Sequence, residues 1–189
     1  MIGRREQFRC RDPSGWVRNS GADQRKQRNI VRRLLKFLHS IGAIGFMGSA
    51  ACLLVLMIFA PPPASLAEYA SVRGAMAAIG EWIYLPSMAL TLIAGLLAIA
   101  ANRAFQNAGW AWVKLATGIV TFEGSLYGVL GPIQEEAKRS ADALAAHLGP
   151  EAITAGQGAQ AGAVWMMLAV MTANVVFGIW RPRLSRIPD

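Results

Sequence analysis

Three ionisable residues stand inside stretches otherwise suited to a hydrocarbon interior: His39, Lys114 and Glu123. A charge in an apolar span is costly, so each is a functional candidate by default. His39 opens "HSIGAIGFMGSAACLLVLMIF" and Lys114 lies in "GWAWVKLATG", so each sits within a few residues of one end of its segment and the two share a depth. A neutral imidazole nitrogen can ligate a metal or haem iron, and an ammonium at the same depth can neutralise a haem propionate or another anionic ligand. Plainer roles fit the same residues: a lysine whose stem lies along apolar surface while its head reaches the headgroups, and a histidine at an interface. Residue chemistry leaves both readings open.

Glu123 follows Lys114 by nine positions. On a helix that is roughly 14 Å deeper and, at about 100° per residue, on the opposite face, so the two cannot pair within one helix. Glu123 is expected to hydrogen-bond another helix, through Thr91 or Asn174, or to stay protonated; a proton relay is the sharper alternative. Met47, Met57, Met88, Met166, Met167 and Met171 are scattered through the same stretches. A thioether can ligate haem iron or copper. With no second histidine in these segments, core packing explains the methionines better.

The elements that must hold these residues are apolar. Of 189 residues, 54% are hydrophobic and 16% charged, a membrane composition rather than that of a soluble domain. Four stretches, about 38–60, 80–101, 110–131 and 162–180, each approach the roughly 20 residues that cross about 30 Å of hydrocarbon, and in lipid each must be helical. The expected fold is all-α: a polytopic membrane four-helix bundle, with the lipid bilayer as its first partner. Residues 1–33 hold ten Lys and Arg against three acids, and Arg103, Arg181, Arg183 and Arg186 fall on the same side. The positive-inside rule then places both termini in the cytoplasm. Trp82, Trp110, Trp112, Trp165 and Trp180 near span ends agree with this, since amphipathic rings favour the headgroup region.

The basic tail has no apolar period and is expected to be disordered, serving as a topology signal or an electrostatic attachment; no nucleic-acid partner is expected. Ser65 and Ala67 would suit signal cleavage, but the leader and the apolar run are both too long for a signal peptide. Pro61, Pro62 and Pro63 stop the first helix, "SLAEYASVRGAMAAIG" reads as a short interfacial helix or as the first turns of the second span, and "NRAFQNAG" makes a tight turn. Pro132 can start a separate amphipathic helix over about 132–148, with Ile133, Ala137, Ala141, Leu144 and Leu148 on one stripe, before the flexible "ITAGQGAQAG". Gly42, Gly45, Ser49, Gly124 and Gly128 are small residues for close helix packing, the last two as a GxxxG. Cys10 and Cys52 build neither a disulfide framework nor a metal site.

"LLKFLHSIGAIGFMGSAACLL" resembles the first helix of a group of small bacterial membrane proteins: HemJ-type protoporphyrinogen oxidases, CopD-like copper-resistance proteins and a predicted integral membrane family of unknown function. "GWAWVKLATG" is similar to the tryptophan and Lys-Leu pair that opens the third helix of HemJ-type proteins, which aligns Lys114 with their lysine. "GVLGPIQEEAKR" resembles the Pro-x-Gln that closes the third span of the unknown-function family, and places the chain nearer to that family. The resemblance implies a bacterial inner membrane and a haem contact at His39, with haem b as the cofactor. Three functional classes therefore compete: a haem-linked redox protein, a small transporter component, and a structural or assembly partner, either as a homo-oligomer or with another membrane protein.

Overall fold

In the computed structural model, residues 14–59, 65–149 and 157–180 are described. They are overwhelmingly helical and form four rods with no strand among them. The first rod is α1, Ser14–Phe59. The second joins α2, Leu66–Ile79, to α3, Leu85–Ala100, through a π-helical turn at Gly80–Tyr84. A short helix α4, Arg103–Gln106, lies in the connection to the third rod. That rod joins α5, Gly109–Ser125, to α6, Gly131–Ala145, through a second π-turn at Leu126–Leu130. The fourth is α7, Gln157–Trp180.

Three helices among the described residues are long and apolar enough to cross a membrane: Arg25–Phe59, Leu66–Ala100 and Gln160–Trp180. The expected span 110–131 lies in the third rod, which carries Lys114 and Glu123 and falls outside that set. It nevertheless packs between α3 and α7.

Several expectations are corrected. Helix α1 begins at Ser14, so much of the basic segment expected to be disordered is helical; residues 1–13 lie outside the described part, as do the three prolines. Arg, Gln and Lys are good helix formers, and no proline interrupts residues 14–59. Residues up to Leu34 form a unit of their own, and the bundle is the unit from Leu35 onward.

The helix expected to start afresh at Pro132 instead continues α5. The π-turns explain how. Leu85 N–H donates to Gly80 O and Gly131 N–H to Leu126 O, both reaching five residues back, and each donor immediately precedes a proline, Pro86 or Pro132. A proline ring in a helix clashes with the carbonyl four residues behind it, and a widened turn at that point relieves the clash while the rod runs on. The two π-turns face each other: a side chain on Gly80 would come within 2.6 Å of Leu130 Cδ1.

The buried face of α6 also differs from the expected stripe. It comprises Ile133, Glu136, Ser140 and Ala143, whereas Leu144 and Leu148 are exposed. The helix ends not at Gly149 but in a left-handed residue, His147 (φ 54°), with Leu148 N–H closing back on Ala143 O. "SLAEYASVRGAMAAIG" proves to be the first turns of the second rod, with Tyr69, Arg73 and Met76 turned inward onto α6. The bundle core gathers Phe46, Leu53, Met57, Met76, Tyr84, Met88, Val129, Ile133, Val164, Met167 and Met171.

Candidate functional site

The site begins with two glycines. An ideal side-chain carbon on Gly42 would stand 2.5 Å from Thr91 Oγ1 and 2.9 Å from both Ser87 O and Thr91 N; one on Gly45 would stand 2.5 Å from Ser87 Oγ. Only glycine lets the backbones of α1 and α3 come this close. Within one turn of Gly42 the approach brings the imidazole of His39 to α3, where Nδ1 lies 2.8 Å from Thr91 O. An ideal side-chain carbon on Gly95, one turn further along α3, would make ordinary contact with the ring, 3.4 Å from Nδ1.

A carbonyl oxygen can only accept, so this contact puts a proton on Nδ1, and in the neutral ring the free lone pair is then on Nε2. Metal-bound histidines use the same device, with the non-ligating nitrogen tied to a carbonyl so that the ring is oriented and its tautomer chosen.

His39 lines a cavity of about 290 Å³ whose wall is overwhelmingly apolar. Lys114 lines the same cavity, so the two residues read as equal in depth are brought to one site. Lys36, one turn before His39, and Asn174 on α7 border it too. The Lys114 ammonium rests against α7: a side chain on Gly178 would meet Nζ at 2.6 Å, so the glycine makes the slot that holds it. The last turns of α7 carry the negative end of that helix, which favours a cation there. Phe105 and Trp110, stacked edge to face at 5.6 Å, line the cavity beside the short α4. Of the scattered methionines, Met47, Met88 and Met171 reach this lining.

Glu123 does not join the site. It is exposed, on the opposite side of α5 from Lys114 as the spacing predicted, but neither expected partner meets it. Thr91 Oγ1 donates to Ser87 O, and Asn174 Oδ1 accepts a long bond from Thr117 Oγ1 at 3.4 Å. Among the described residues no three His, Cys, Asp or Glu side chains gather as metal ligands.

Sequence reasoning missed Lys36 and the Thr91 carbonyl. The first was legible from its spacing of three before His39, which shares a helix face. A backbone acceptor leaves no signal in side-chain chemistry. Compared with known proteins, the chain matches no family model, no curated protein and no solved structure.

Proposed function

We propose that this chain is an integral protein of a bacterial inner membrane, crossing it four times with both termini cytoplasmic, and that its cavity binds an anionic amphiphile, with haem b the ligand it suits best. The layout of apolar helices supports the first part, with α5 held between α3 and α7 and so running through the same layer. The basic residues gathered at the ends of the chain and at the turn between the second and third rods support the orientation.

One observation carries the ligand reading: His39, its Nδ1 held by Thr91 O, lies in an apolar cavity that also contains Lys114. The chemistry fits a haem. A porphyrin supplies four of the iron's ligands, so one lone pair from Nε2 suffices where a bare ion would need several side chains. Lys114, with Lys36 nearby, would hold the propionates, and the apolar wall would take the ring. The cavity lies near the lower end of the roughly 300–1,000 Å³ usual for small-molecule sites, so a ligand of porphyrin size is covered only in part. Bound there, the iron would supply one-electron redox chemistry. The resemblance of the first and third helices to HemJ-type and CopD-like proteins points the same way.

A transporter component is the weaker reading. The hydroxyls of Ser49, Thr91, Thr117, Thr121 and Thr172 donate to carbonyls of their own helices and leave little for a polar path.

The test is an absorption spectrum of the chain purified from its own membranes and titrated with haem. A Soret band that disappears in His39→Ala is the expected result. A helical, monodisperse preparation that stays colourless and gives no spectral change with added haem would remove the haem reading.

A further inference from the structure

Arg25, Lys26, Arg28, Arg32 and Arg33 crowd the stretch of α1 just before the apolar run, and all five are exposed. No acidic residue stands between Asp23 and Glu68 to balance them along the chain. Orienting a span needs basic residues at its cytoplasmic end but not on any particular side of the helix. Here they are sorted. At about 100° per residue, counted from Arg25, the basic residues fall in an arc from about 300° through zero to about 100°. Ile30, Val31 and Leu34 fall between about 140° and 240°, with Gln27 the polar residue in that arc. The three apolar side chains are 56%, 47% and 52% exposed. The segment belongs to the unit that ends at Leu34, in which α1 is the one described helix.

Charge and position set this face apart from the apolar surfaces of the other rods. Leu34 stands four residues before the expected span at about 38, roughly 6 Å of helix, so the segment begins within a headgroup layer about 5–8 Å thick. From this we infer that Arg25–Leu34 docks on the cytoplasmic leaflet of the bilayer, with Ile30, Val31 and Leu34 in the acyl boundary and the basic side chains on the phosphates of anionic phospholipid. The inference rests on the membrane-spanning reading and the orientation proposed above. An anionic bilayer surface offers both chemistries at once, phosphates for the guanidinium and ammonium groups and an apolar boundary beneath them. The long stems of Arg and Lys let their heads reach the phosphates while the apolar side is seated. A nucleic-acid backbone or a free phosphate would satisfy the charges and leave Ile30, Val31 and Leu34 in water.

The full chain reconstituted in lipid vesicles tests this, with a spin label at Ile30→Cys or at Asn29→Cys in a background where Cys10 and Cys52 are alanine. The lipid carries the charge test, because removing the arginines would also remove the signal that orients the chain. Each basic residue near an anionic surface strengthens attachment about fivefold. In vesicles with about one-third phosphatidylglycerol, a water-soluble nickel chelate on both sides of the bilayer should therefore reach the Ile30→Cys label at least about fivefold less often than the Asn29→Cys label on the basic side. The difference should disappear in phosphatidylcholine alone, and also at about 1 M salt, where the screening length is about 3 Å. Val31→Ser with Leu34→Ser keeps every charge and should abolish the protection of Ile30→Cys.

Equal access at the two positions in phosphatidylglycerol vesicles, protection that persists in phosphatidylcholine, or protection untouched by the double serine variant would each overturn the inference. Loss of protection on adding inorganic phosphate at constant ionic strength would assign the basic side to a soluble phosphate compound, and loss on adding an RNA oligonucleotide would assign it to nucleic acid; either result overturns it. Carbonate extraction separates the two levels of the argument: a retained chain with an accessible Ile30→Cys label overturns the attachment alone, whereas an extracted chain overturns the membrane reading and the attachment with it.

Discussion

His39 Nδ1 lies 2.8 Å from the carbonyl oxygen of Thr91, across the contact between α1 and α3. The bond depends on how closely the two helices approach, because Gly42, three residues along α1, packs directly on Thr91 and Ser87. Ring orientation at the cavity is therefore set by a glycine that does not touch it.

Gly42→Ala should accordingly damage the site and the fold together. The added methyl would meet backbone atoms of α3 at 2.9 Å, and backbone cannot turn aside as a flexible side chain can. A loss of about 1–3 kcal/mol is expected, typical of an overpacked contact, together with loss of ligand binding at His39. Gly48→Ala is the control, since an added carbon there meets nothing within 4 Å. Thermal unfolding in detergent followed by circular dichroism should show a fall for the first and no fall for the second.

Lys114→Met should separate charge from apolar fit. A methionine keeps much of the lysine stem along the cavity wall and removes the ammonium that rests against Gly178. Losing one charge-assisted hydrogen bond, about 1.5–3 kcal/mol, lowers affinity for a dicarboxylate porphyrin by roughly ten- to a hundredfold. Affinity for an uncharged apolar probe should not change. Fluorescence titrations with both ligands would check this, and equal losses for the two would remove Lys114 from the role of anion partner.

The apolar helices, and the grouping of His39 with Lys114 that the cavity repeats, were legible in the sequence because both follow from helix period and hydrophobicity. The inward face of α6 was not. Glu136 and Ser140 turn inward because Tyr69 OH donates to Glu136 Oε1 at 2.9 Å and Ser140 Oγ donates to Ala137 O. A satisfied buried polar residue has the same one-letter code as a solvated one, so the apolar pattern assigned that face to Leu144 and Leu148 instead. Arg73 escaped for the same reason: a lone basic residue within "SLAEYASVRGAMAAIG", it lies only 1% exposed. The mismatch between Glu123 and its expected partners has a different origin. Spacing placed it opposite Lys114, and Thr91 and Asn174 are on Lys114's side of the helix.

Tyr84→Phe should leave stability unchanged or raise it. The ring is fully buried and stacks edge to face on Phe46 at 4.8 Å, which phenylalanine preserves. The hydroxyl lies toward Ser125 without the geometry of a hydrogen bond. A buried hydroxyl without a partner costs about 1–3 kcal/mol, and removing it recovers part of that. A fall of more than about 1 kcal/mol on the same unfolding assay would mean that Tyr84 and Ser125 are bonded and contribute to the contact between the facing π-turns.

Arg73 and Gln160 should show strong coupling. The guanidinium is buried over the Tyr69 ring, 5.0 Å from its centre, and Nη1 donates to Gln160 Oε1 on α7 at 3.0 Å. Its Nε finds no acceptor. Gln160 is thus the main oxygen partner of a buried cation, and Gln160→Leu should cost about 1.5–3 kcal/mol by leaving that charge with only the weak sulfur acceptor of Met76, 3.9 Å from Nη1. Adding Arg73→Met removes the charge and fills its volume with an apolar chain, a replacement that is often neutral or stabilising at buried ionic sites. The double variant should therefore be more stable than Gln160→Leu alone, although it carries one more substitution. Simple addition of the two single effects would show instead that the guanidinium draws its stabilisation from the Tyr69 ring rather than from α7.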